Sequence, residues 1–206
     1  IAVIAKEPST NIPMNDFNLR DVGKVIKHPV VWMNALIALG MYICNTAGTY
    51  ISPFLSEVIL VPVSLAVGIQ IFDATVARFV FAPVGGVIRD RMGKTGPFLV
   101  VFSVISLILC LCLRFFVNAN SSVAFVIALV ILFFCINCTA RTGLFTPVAE
   151  GGIPVALTGT AMGLVSAIGS SADLWLFTLC GSWLDKYGND GFNYIWMLIA
   201  FGLLLV

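Results

Sequence analysis

Residues 89–94 pack four charges, Arg89, Asp90, Arg91 and Lys94, between two apolar runs, and no other feature constrains the chain as tightly. Crossing about 30 Å of hydrocarbon takes about 20 residues of helix, and both runs reach that length. The stretch at 86–94, Gly-Val-Ile-Arg-Asp-Arg-Met-Gly-Lys, therefore reads as a tight charged turn between two spanning helices. The same spacing returns at 181–188, Gly-Ser-Trp-Leu-Asp-Lys-Tyr-Gly. In both, aspartate comes four residues after the first glycine, a base at five and glycine at seven. The coincidence points to an internal repeat.

Composition agrees with a membrane chain. Hydrophobic residues make up 60% and charged residues 10%, against about 25% charged in soluble domains. A net charge of +1 gives no reason to expect a nucleic-acid partner. The six cysteines lie in apolar runs, where thiols behave as small hydrophobes. Cys135 and Cys138 have pair spacing, but no histidine or second pair lies near them. His28 is the only histidine, and no nucleophile–base set, paired carboxylates or metal-ligand set stands out. The expectation is a chain that is no enzyme and holds no metal or cofactor. Ile1 is not methionine and Val206 falls inside an apolar run, so a piece of a longer protein is expected.

Two regions are expected. Residues 1–29 are polar, with Asp16 ahead of Leu19, Val22, Val25 and Ile26 at helical spacing, as in a short helix lying on a membrane surface. Residues 30–206 form the transmembrane domain, with spans near 30–51, 62–88, 97–117, 122–146 and 155–184. A sixth begins near Tyr194. Pro83 falls inside the second and predicts a kink there. Gly159 and Gly163 have the spacing of a close helix seam.

Bases set the orientation. Lys6, Arg20, Lys24 and Lys27 precede the first span, and Arg89, Arg91 and Lys94 follow the second. Segments 1–29 and 89–96 are therefore expected on the cytoplasmic side of an inner, multi-pass membrane. Tyr50, Trp183, Tyr187, Tyr194 and Trp196 are expected near the other interface.

An odd number of crossings separates the two glycine-ended turns, so they fall on opposite sides. This is the pattern of two three-helix units with inverted topology, which place solute near the midplane. Arg78 and Asp173 each lie 12 residues before their motif aspartates, Asp90 and Asp185, or about 18 Å along a helix. Both charges then reach similar depth, where an unpaired charge costs about 2.5–3.5 kcal/mol. They are expected to flank a central site or to form a buried ion pair without a solute. Asp73 lies about 140° around an α-helix from Arg78, so the two are not expected to share a face. Tyr42 and Asn45 in the first span, and Asn137 with Arg141 in the fourth, are candidates for a polar lining. Arg141 reads equally as an anchor reaching the membrane edge.

The stretch holding Gly86, Asp90, Arg91, Gly93 and Lys94 resembles the loop signature of the major facilitator superfamily. That resemblance implies a six-helix carboxy-terminal half of an all-α bundle, partnered by an amino-terminal six-helix half. It also implies that Asp90, Arg91 and Lys94 bias an inward–outward switch, with Gly86 and Gly93 permitting the turn. Within the superfamily, Arg141 with Glu150, Pro154 and Thr158 resembles carriers of organic anions and sugar acids. The expected function is secondary active transport of a small polar solute, more often anionic, with a coupling proton or counter-anion. A proton-coupled carrier of neutral sugars or nucleosides and a non-transporting membrane sensor are the alternatives.

Overall fold

The computed structural model describes residues 23, 25–117 and 121–206. Residues 1–22, and with them most of the expected surface helix, lie outside the described part. Among the described residues all regular structure is helical. In chain order it comprises α1 (Pro29–Gly48), α2 (Ile51–Glu57), α3 (Val63–Phe72), a π-turn (Asp73–Ala77), α4 (Arg78–Met92), α5 (Thr95–Phe115) and α6 (Val123–Arg141). There follow α7 (Thr146–Glu150), α8 (Val155–Ser170), α9 (Ala172–Tyr187), a 3₁₀ turn (Gly188–Asp190) and α10 (Gly191–Leu205).

Five stretches are long and apolar enough to cross a membrane: Pro29–Glu57, Val63–Met92, Thr95–Phe115, Val123–Glu150 and Leu157–Leu205. The last has 49 residues, which would be about 73 Å if straight, more than twice the hydrocarbon thickness. It is not straight. Gly188 opens the 3₁₀ turn with a φ of 57°, and a Cβ on Gly191 would come 2.7 Å from the Trp183 carbonyl oxygen. The chain thus doubles back, and α10 packs against α9, α1 and α5. With 15 residues, α10 is about 22 Å long, shorter than the hydrocarbon layer.

α1 lies against α8, α9 and α10. It approaches α10 at Gly40 and Gly202, where a Cβ on either residue would collide with the other's carbonyl oxygen. Small residues let helix backbones meet this way, and close packing rather than water exclusion then holds the helices in lipid. Gly159 and Gly163 make no such seam, since both face open space. Their spacing alone overstated the contact.

Buried side chains gather in two main clusters. One surrounds Phe54, Leu113, Phe133 and Ile199; the other surrounds Val31, Phe98, Ala140 and Val165. The boundary between them crosses α1 between Met41 and Cys44, and α6 between Phe134 and Ala140. Polar side chains in the spans collect along it.

The turn after α4 is closed by Gly93 at φ 71°, its N–H donating to Arg89 O at 3.1 Å. That left-handed cap is glycine's province. Gly86, expected to share the role, instead sits inside α4 with nothing near it. Its neighbour Gly85 is the pressed position: a Cβ there would lie 2.7 Å from the Thr139 carbonyl oxygen, where α4 crosses α6.

Candidate functional site

The site begins with a helical irregularity. A regular α-helix would turn Asp73 and Arg78 away from each other. The chain instead makes a π-turn at Asp73–Ala77, whose bonds close from i to i+5 and set residues five apart on one side. Arg78 Nη2 lies 4.0 Å from Asp73 Oδ2, so the expectation that they face apart is corrected. Thr75 supplies a local cause. Its hydroxyl donates to Ile71 O at 2.6 Å, competing for the carbonyl that an α-helix would pair with its own N–H. Pro83, where the kink was expected, lies inside α4. The π-turn sits about two to three turns ahead of it.

Opposite this turn, α1 and α6 complete a small cleft. Asn45, Asp73, Arg78, Asn137 and Arg141 line it with polar groups, and Met41, Phe133 and Phe134 wall it in. Asn45 Oδ1 is the hub. It accepts a hydrogen bond from Arg78 Nη2 at 3.2 Å and another from Arg141 Nη1. Asp73 is buried and accepts from Cys138 Sγ at 3.4 Å. Asn137 donates to Phe133 O at 3.2 Å, one turn back on its own helix. The enclosed space is about 20 Å³, room for roughly one water.

Charge in the cleft does not balance. Two guanidinium groups face one carboxylate, leaving one positive charge over (2 − 1 = +1) among its lining residues. Arg78 keeps 47% of its side chain exposed, against 12% for Asp73. Such a cation inside a span needs water, protein or a ligand beside it, since lipid solvates it poorly.

Asp173 and Tyr42 fall elsewhere. Asp173 lies exposed in the first turn of α9 and accepts from the Thr46 hydroxyl. The Tyr42 ring lies against Gly169, close enough that a Cβ there would come within 2.9 Å of it. The Arg78–Asp173 pairing is thus replaced by Arg78 with Asp73, Asn45 and Arg141. Cys138 was missed as a partner of Asp73, although its place between Asn137 and Arg141 on one helical side was a usable signal.

The charged turn forms a second polar locus, at the end where α4, α5, α6 and α7 meet. Arg89 donates to Thr146 Oγ1 at 2.8 Å and to Thr142 O at 3.4 Å, and pairs with Asp90 at 2.9 Å. Glu150 accepts from the Thr95 hydroxyl, and from Thr95 N at 3.3 Å. It thereby places a carboxylate at the start of α5, where free N–H groups favour negative charge. Arg89, not singled out by its motif position, makes the cross-helix contacts. Asp90, Arg91 and Lys94 are exposed.

Among curated proteins the chain is similar to "Inner membrane protein YihN" of Escherichia coli (strain K12), 28% identical over 197 residues. That match covers 94% of this chain and 47% of the relative. It is also similar to "Inner membrane protein YqcE" of the same organism, 24% identical over 205 residues, covering 96% of this chain and 48% of the relative. The chain therefore spans about half the length of the curated relatives it matches. No family model and no solved structure matches it. These findings correct the resemblance to the major facilitator superfamily, because neither relative's name nor any family match indicates it. The resemblance rested on a nine-residue pattern at 86–94, and Gly86 within that pattern has no turn to make. The chain is a membrane protein by its apolar helices and its relatives.

Proposed function

We propose that this chain carries the solute site of a secondary active transporter that moves a small organic anion, such as a sugar acid, by alternating access. One observation carries the reading: Arg78 and Arg141 converge on the single oxygen of Asn45 with only Asp73 to offset them. Paired guanidinium forks suit a carboxylate, which each can bind in bidentate fashion. An anion would supply the missing negative charge and replace the shared amide oxygen. The space of about 20 Å³ is too small for a solute, so an occupied state requires α1, α4 and α6 to separate, as alternating access demands. Two three-helix units of inverted topology, each with its glycine turn (Gly93 or Gly188) between its second and third helices, would set the site between them. On this reading the segment before α1 and the turn after α4 face the cytoplasm, and the rest of the longer protein completes the cavity. A proton or a counter-anion is the coupling species.

The test reconstitutes the complete protein in vesicles and measures uptake of labelled organic anions beside neutral sugars. Anion uptake that falls by about two orders of magnitude in Arg78→Gln and in Arg141→Gln, the scale of losing a charge-assisted pair, bears the proposal out. Neutral-sugar uptake abolished by Asp73→Asn would instead favour a proton-coupled sugar carrier. Absence of flux for every solute would favour a sensor.

A further inference from the structure

A groove of about 590 Å³ runs between α4 and α5 over the face of α6, lined by Phe81, Val84, Ile88, Phe102, Leu132 and Cys135. Its volume falls in the range of small-molecule sites. The one polar side chain at its floor, Thr139, is already engaged, donating to Cys135 O at 2.9 Å. On α6 the groove follows Ala128, Leu132, Cys135 and Thr139, the far side of the helix from Asn137 and Arg141. The charged cleft and the groove therefore open in different directions. Arg78 marks its own side as one that cannot meet lipid, whereas nothing on the groove side resists it.

The groove's end carries charge. Phe81, Val84 and Ile88 follow the spacing of one helical side, and Arg91 continues it three residues beyond Ile88, about 4.5 Å along the axis. Lys94 lies two residues past the end of α4. Both bases are exposed, and neither has an ion-pair or hydrogen-bond partner among the described residues. Arg89 is turned away toward Thr146. Along α6 the groove extends from Ala128 to Thr139, about 16 Å at 1.5 Å per residue, the reach of an extended acyl chain rather than of a compact solute.

We propose that this groove is a binding site for one anionic phospholipid, its acyl chain lying between α4 and α5 and its phosphate held by Arg91 and Lys94. Apolar length inside the bilayer and unpaired bases at the interface are the two features such a lipid recognises. The inference stands on membrane placement alone and does not depend on the solute proposed above.

The test purifies the complete protein in a mild detergent after exposure to equal amounts of phosphatidylglycerol and phosphatidylcholine with identical chains. Retained lipid is then counted by native mass spectrometry. The expected result is preferential retention of one phosphatidylglycerol. Retention falls about thirtyfold in Arg91→Gln/Lys94→Gln, the combined effect of two interfacial bases. It also falls in Val84→Trp, which fills the groove without touching a charge. Helicity and monodisperse elution of both variants establish that they fold. Equal retention of the two lipids, or retention unchanged in the double variant, overturns the proposal. Retention lost in the double variant but kept in Val84→Trp also overturns it, because the headgroup would then bind without the groove.

Discussion

Asn45 is the side chain on which the polar cleft depends, because its one carbonyl oxygen serves two arginines. Asn45→Ala removes that acceptor and leaves Arg141 with less to bond, at a cost of about 2–3 kcal/mol. Chemical unfolding in detergent measures it, and a shift under about 0.5 kcal/mol would mean that water replaces the amide without penalty. The glycines of the charged turn separate cleanly at the same scale. Gly93→Ala forces a side chain into the left-handed region and should destabilise by about 1 kcal/mol. Gly86→Ala, in open helix, should be neutral or stabilising by up to about 1 kcal/mol. Paired melting curves read both, and equal effects would show that the turn does not rely on Gly93's conformation.

The π-turn at Asp73–Ala77 decides which face of the second spanning stretch Arg78 presents. Thr75→Val removes the hydroxyl that occupies the Ile71 carbonyl. The regular α-helix it favours turns Asp73 and Arg78 apart. The expected outcome is unchanged or higher thermal stability with anion uptake reduced about tenfold or more, the size of a lost charge-assisted contact. Uptake kept at the parent level would separate the π-turn from the solute site. At the charged end, α5 begins against Glu150 from another element. Glu150→Leu should lower stability by about 1 kcal/mol, the usual effect of losing a capping oxygen. Glu150→Gln, which can still accept the Thr95 bonds, should lose less. A loss in Glu150→Gln as large as in Glu150→Leu would point to the charge rather than to capping.

Across the molecule, the charged side chains of Arg78 in α4 and Asp173 in α9 are exposed, as are the apolar Leu132, Val100 and Phe79. Lipid solvates a charge poorly and the relatives are about twice as long as this chain, so the remainder of the protein or a water-filled cavity is expected beside the two charges. In a cysteine-free version of the complete protein, Asp173→Cys should react with a membrane-impermeant thiol reagent, and Leu132→Cys should not. Equal labelling would place both on water, and no labelling at Asp173→Cys would bury it in protein.

How much could be read from residue order follows from the range of the interactions involved. Long apolar runs between short charged turns determined the helical membrane class, because lipid leaves backbone groups no partner except within the helix. Polar residues in those runs were visible for the same reason: a charge in hydrocarbon must be satisfied, so Asn45, Asp73, Arg78, Asn137 and Arg141 stood out before any geometry was known. Their partners did not. The α-helical period sent Asp73 away from Arg78, and only the π-turn, a local departure from that period, joined them. Equal spacing paired Arg78 with Asp173, whereas the packing of α1 gave Asp173 to Thr46 and Arg78 to Asn45. Sequence by itself determined the solvent each stretch must live in and which side chains could not be left alone there. Tertiary structure alone decided which of them meet, because side-chain contacts act over a few ångströms, and helix crossings set those distances between residues far apart in the chain.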